Sequence, residues 1–240
     1  MSIQTRLVEY DDGLITYEGM LAWDDAIAGS RPGVLVAHTI RGRTGFEEGK
    51  ARDLAELGYC AFALDVYGKS ALGGDDVSNS AHMKALKADR QALQRRLLVS
   101  LRTLKEQPEV DSRQVAAIGF CFGGLCVLDI ARTGEDLAGV ISFHGLLDAP
   151  GNTSGGAIKA KVLVLHGWDD PLATPDRVIA LSDEMTAMVA DWQLHAYGNT
   201  MHAFTNPAAN DKDRGTVFNA AANRRSWAAM RNFLDELFNG

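Results

Sequence analysis

The chain has 240 residues, 46% of them hydrophobic, and a formal net charge of −7. That length suits one α/β domain around a single apolar interior, and residues 1–240 are read as one such domain. The acidic balance excludes the basic stripe that nucleic acid requires, and no apolar run approaches the roughly 18 residues that cross a bilayer.

Residues 1–10 lack the charged start and apolar centre of a leader. A soluble, cytoplasmic protein is therefore expected, a monomer or small homo-oligomer with a small-molecule partner. The cysteines, Cys60, Cys121 and Cys126, are odd in number and lie in apolar stretches, which argues for free thiols rather than a disulfide framework. They show no zinc-ligand spacing with histidine, so neither metal nor cofactor is expected.

In chain order, residues 3–23 read as two strands around Asp11-Asp12-Gly13, whose Asp-Gly step suits a hairpin. Residues 33–37 form a continuous apolar run, the pattern of a strand buried on both faces. Similar runs recur at 59–64, 115–119, 137–143 and 162–165. Between them, Leu86, Leu93, Leu97, Leu101 and Leu104 are spaced by seven, four, four and three, one stripe of a helix. Helices are also predicted over 175–190, with proline near the start, and over 218–238. Alternating strand and helix implies a mostly parallel sheet with helices on both faces and a ligand crevice at the strands' carboxyl ends. Residues 68–80, rich in glycine and small polar side chains, read as an exposed loop and a candidate lid.

The decisive segment is Gly119-Phe120-Cys121-Phe122-Gly123-Gly124, which follows an apolar strand and opens a helix. It is the nucleophile-elbow pattern of the α/β-hydrolase fold with cysteine at the tip, the flanking glycines leaving room where helix passes strand. A cysteine there sits at a helix N-terminus, which favours the thiolate. The Phe122 amide would form half of an oxyanion hole, and the loop after residue 37 the other half, with Ile40 as donor. Acid and base must follow the nucleophile in the chain. Asp169 and Asp170 both lie just beyond a strand, and the Gly-x-x-Asp spacing from Gly167 favours Asp170. Of six histidines, His144 and His166 close buried strands and His195 lies in the last strand, predicted at 192–197. His38 braces a strand-end loop and His82 faces solvent. His202, in the loop before the final helix, is the candidate base.

These segments resemble the dienelactone hydrolase family, cysteine-triad members of the α/β-hydrolase fold. The resemblance spans 32–45, 58–68 with Leu64-Asp65-Val66-Tyr67, the elbow, 167–170, and Met201-His202-Ala203-Phe204. It implies hydrolysis of a small ester or lactone by Cys121, His202 and Asp170 through an acyl-thioester, with Ile40 and Phe122 supplying the oxyanion hole and no cofactor. Tyr67 matches the family's tyrosine after the strand, a candidate substrate contact. Two positions depart from the family. Thr39 stands where a glutamate meets the resting cysteine, and Asn206 where an arginine binds the substrate carboxylate. Arg41 or Arg43 could replace that cation, although solvated arginines are the simpler reading. Loss of the clamp also fits a general carboxylesterase or thioesterase, and retention of the thiol without turnover would fit a redox-responsive binding module.

Overall fold

The computed structural model describes residues 2–152 and 157–240. Strands β1 (Ile3–Asp11) and β2 (Thr16–Asp24) pair antiparallel. Their turn is held by the carboxylates of Asp11 and Asp12, which accept from the amides of Gly13, Leu14 and Ile15, with Gly13 at φ 81°. β3 (Arg31–Ala37) and β4 (Cys60–Ala63) follow, joined by α1 (Gly45–Glu56). β3 runs parallel to β4, and β2 antiparallel to it. Val34, Leu35, Val36 and Ala37 are all fully buried, as the uninterrupted apolar run predicts.

The leucine stripe is carried by two helices, α2 (Asp76–Ala88) and α3 (Arg90–Lys105). Asp89 separates them: its amide closes α2 on the Ala85 carbonyl, while its carboxylate accepts from Ala92 to start α3. All five leucines are buried, each burial contributing about 1.5–3 kcal/mol, and α3 packs on β1 and β3. The predicted loop 68–80 is corrected here. A 3-10 turn occupies Lys69–Ala71 and α2 begins at Asp76, with Asp75 as N-cap accepting from the Ser78 amide. Gly68 and the stretch 72–75 are irregular, so the segment is not one continuous loop.

β5 (Val110–Phe120), α4 (Phe122–Arg132), β6 (Gly139–Phe143), β7 (Lys161–Gly167), α5 (Pro175–Ala187) and β8 (Trp192–Tyr197) alternate as predicted. A short hairpin, β9 (Asn210–Asp211) and β10 (Thr216–Val217), precedes the last helix, α6 (Ala220–Asn239). The chain divides into two compact units, Met1–Ala117 and Ile118–Gly240, and β5 passes from one into the other. Strand order is β1-β2-β4-β3-β5 in the first and β5-β6-β7-β8 in the second. β6, β7 and β8 are mutually parallel, so the strands form a mixed but mostly parallel sheet.

In the second unit, α4 packs on β6, and α6 packs on β6 and β7. Gly139 lets the Leu237 side chain of α6 press against β6, since a Cβ there would meet it at 2.7 Å. Inside α4, the Arg132 guanidinium is fully buried between Asp129 of its own helix, Glu184 of α5 and the Leu147 carbonyl. Such a charge is tolerable only because each partner is in place.

The tightest constraint lies where β5 turns into α4. A Cβ on Gly119 would fall inside the van der Waals shell of the Gly123 carbonyl, a backbone group that cannot step aside. Gly119→Ala is expected to cost more than about 3 kcal/mol, above the usual range for overpacking. A urea midpoint for this variant within error of the parent's would refute that.

Candidate active site

Cys121 stands between β5 and α4 with φ 58° and ψ −115°, a conformation that an L residue holds only when its surroundings impose it. The imposing groups are on the turn after β6. The Cys121 amide donates to the Phe143 carbonyl at 3.1 Å, and the Cys121 carbonyl accepts from Leu146 at 3.3 Å and from Gly124 at 3.0 Å. That turn comes close because both sides lack side chains. A Cβ on Gly124 would lie 2.5 Å from the Gly145 Cα. Cys121 is half-buried, whereas Cys60 and Cys126 are buried.

Asp170 follows β7 in a tight turn, its amide donating to the Gly167 carbonyl at 3.1 Å. One carboxylate oxygen accepts from the Leu172 amide at 2.8 Å, and the other meets His202 Nδ1 at 2.7 Å. Asp169 is exposed, so the spacing argument for Asp170 chose the carboxylate that reaches histidine. Gly167 makes this possible: a Cβ there would sit 2.6 Å from the Thr200 carbonyl, blocking the loop that carries His202.

His202 is held from the other side by a feature with no sequence signal. Its amide donates to the Gly215 carbonyl at 2.9 Å and its carbonyl accepts from Val217 at 3.0 Å, bridging it to β10. The ring is 2% exposed. With Nδ1–H donating to Asp170, Nε2 is left buried without a fully formed hydrogen bond, and the sulfur that acts on it is that of Cys121. Burial alone would lower the imidazole's pKa. The negative charge of Cys121 and the hydrogen bonds from Asp170 and Cys121 outweigh it, and the pKa is pushed up to about 10.

Two further histidines border His202. The His144 ring meets it edge-on with centroids 5.0 Å apart, and His144 Nε2 lies 2.8 Å from the Thr205 hydroxyl. Burial, then the charge of His202, drive the His144 pKa well down. Both nitrogens of His166 are buried without a hydrogen-bond partner among the described residues. Burial lowers its pKa too, against the pull of Asp170. Both do close buried strands, as read from sequence; their closeness to His202 was not legible there.

The other sequence-selected residues lie in the first unit. The Thr39 amide donates to Glu47 Oε1 at 3.0 Å, and Tyr67 donates its hydroxyl to the Ile40 carbonyl at 3.1 Å. Glu47 is buried and also accepts from the Thr44 amide and hydroxyl, so one carboxylate spans the 39–44 loop. His38 braces the same region, its ring touching the Thr39 carbonyl at 2.7 Å and the Val66 amide at 3.3 Å. Tyr67 thus fastens the loop bearing Ile40. His82 is half-buried and stacks on Tyr67 at 5.3 Å, which corrects its reading as a solvent-facing residue. Arg41 is exposed, its nearest carboxylate Asp76 at 3.9 Å. Arg43 is not a solvated arginine: its side chain is buried and paired with Glu18 and Glu48. Asn206 caps a turn by accepting from the Ala208 amide. Among the described residues no cluster of His, Cys, Asp or Glu could hold a metal ion, and no helix is long and apolar enough to cross a membrane.

A strained cysteine between strand and helix, with Asp and His following in that order, places the chain in the α/β-hydrolase fold. Residues 18–238 match the dienelactone hydrolase family, and the chain belongs to that family. The structure is similar to that of m3DLH, at TM-score 0.94 and 38% identity, covering 99% of this chain and 100% of that one. It is similar also to a dienelactone hydrolase-like promiscuous phosphotriesterase from metagenomic libraries, at TM-score 0.93 and 40% identity with the same coverage. A probable 2-oxo-3-(5-oxofuran-2-ylidene)propanoate lactonase of Bradyrhizobium sp. is 25% identical over 218 residues, 85% of this chain and 86% of that protein.

The flanking histidines set an acid limit on stability. Their folded pKa values lie below the ordinary 6.5, so the unfolded chain takes up protons first as pH falls through that value. Stability therefore declines below about pH 6.5, by at most about 1.4 kcal/mol per pH unit for each ring. Urea midpoints between about pH 5 and 7.5 should show this, with a shallower slope in His166→Leu; equal slopes would contradict it.

Proposed function

We propose that this hydrolase cleaves small esters or lactones with Cys121 as nucleophile, His202 as acid and base, and Asp170 as the group that orients His202. The observation that carries the reading is the Asp170–His202 hydrogen bond at 2.7 Å, with Cys121 acting on the same ring. By reciprocity, the imidazolium favours the thiolate as much as the thiolate favours the imidazolium. The thiolate attacks the carbonyl carbon, forming a C–S bond while the carbonyl π pair moves onto oxygen. Amides of Phe122 and Ile40 are the proposed donors to that oxyanion. Collapse breaks the C–O bond, and the His202 proton goes to the leaving alkoxide. Neutral His202 then takes a proton from water, whose oxygen attacks the thioester and releases the acid and the thiolate.

A broader specificity, toward neutral carboxyl- and thioesters, is supported by the residues around this centre. Asn206 replaces the family's arginine, and Arg43 is engaged with two glutamates. Of the candidate cations, Arg41 extends into solvent, and Thr39 and Tyr67 are the remaining proposed substrate contacts. Similarity to a promiscuous phosphotriesterase brings phosphotriesters into the same test.

Hydrolysis of p-nitrophenyl acetate, a dienelactone and an aryl phosphotriester should be compared in the parent, Cys121→Ala and His202→Ala. Each variant is expected to lose at least about 10³-fold in kcat. Preference for the neutral ester over the anionic lactone would decide for the broad esterase. Cys121→Ala retaining parental activity would overturn the triad, and peroxide-sensitive thiol chemistry without turnover would favour a redox-responsive module.

A further inference from the structure

We propose that His144 is a positioning residue of this centre, fastening the loop of His202 to the turn that holds Cys121. The proposal rests on the triad reading above and assigns a part to residues outside it. His144 is the second of four consecutive residues, Phe143 to Leu146, each of which is committed to this corner. Phe143 and Leu146 take both backbone polar groups of Cys121. Gly145 allows α4 to approach. The His144 amide is fixed on the Leu165 carbonyl at 2.8 Å, one residue before His166 on β7. Its backbone adopts φ 37°, left-handed for a residue with a Cβ. That strain persists because the ring has somewhere specific to go.

The ring is 1% exposed and points at the His202 loop. Its Nε2 reaches the buried Thr205 hydroxyl, three residues beyond His202, and its edge-on contact touches His202 itself. The neighbouring Ala203, at φ 58°, makes the loop a turn that local sequence alone would not hold. Nucleophile and base thus hang from adjacent points of one turn, Phe143 and His144. An uncharged ring at this place also leaves the His202 imidazolium without a like charge beside it.

The test uses His144→Phe, which keeps an aromatic ring, Thr205→Val, which keeps shape and loses the hydroxyl, and the double variant. Ester hydrolysis and the pH dependence of iodoacetamide alkylation at Cys121 are read in each. Each single variant should lower kcat on the order of 10- to 100-fold with KM little changed. The alkylation profile should shift toward higher pH, because a displaced imidazolium supports the thiolate less. The double variant should be no worse than the worse single one. Losses that multiply, or an alkylation profile that stays parental while only thermal stability falls, would overturn the proposal. The parental alkylation profile and Cys121→Ala judge the triad separately, so a failure of that reading is distinguishable from a failure of this one.

Discussion

Everything at the second unit's carboxyl end depends on one steric condition: backbones must pass closer than Cβ atoms permit. Gly119 under the Gly123 carbonyl lets β5 turn straight into α4. Gly124 against Gly145 lets the first turn of α4 rest on the end of β6. Gly167 under Thr200 and Met201 lets the histidine loop cross the start of the acid loop. Each contact excludes a side chain where one would prise apart the segments that carry Cys121, Asp170 and His202. The polar contacts of Cys121, Asp170 and His202 become available only after these approaches are made.

Electrostatics then acts on what sterics has assembled. Asp170 holds Nδ1 of His202, and Cys121 and Asp170 raise the pKa of the ring against its burial. The same burial that penalises charge on His144 and His166 keeps both neutral around it. Among these three imidazoles burial prevails at His144 and His166, and at His202 it is outweighed by Cys121 and Asp170.

Much of this was legible in sequence, for reasons that differ by element. Strands β3, β6 and β7 announce themselves because burial on both faces leaves their runs almost wholly apolar, with Ser142 of β6 the buried exception. The elbow is legible because its glycines are demanded by geometry, and Gly167 is needed because the His202 loop crosses it where a Cβ would meet the Thr200 carbonyl. Helix α2 was missed because Asn79 and Leu86 are its buried residues, too few to make a stripe. The break at Asp89 was invisible because Leu86 and Leu93 keep helical spacing across it. The β9–β10 hairpin has strands of two residues each, below any detectable period. Residues such as His144, Thr205 and Glu47 act through partners distant in the chain, which spacing cannot reveal. The departures at Thr39 and Asn206 were legible, yet their consequence depended on Arg43 being spent on Glu18 and Glu48.

The three thiols are sorted by their surroundings into distinct chemical kinds. Cys60 is enclosed in β4 and its pKa is pushed by burial up to about 12, and Cys126 is enclosed in α4. Cys121 is the half-exposed one. On the proposed triad a small electrophile meets one accessible cysteine in the folded protein, Cys121, and the amount it consumes counts assembled centres. A preparation can be graded by that count before its substrate is known, since the label reports the fold of the site and not what the site cleaves.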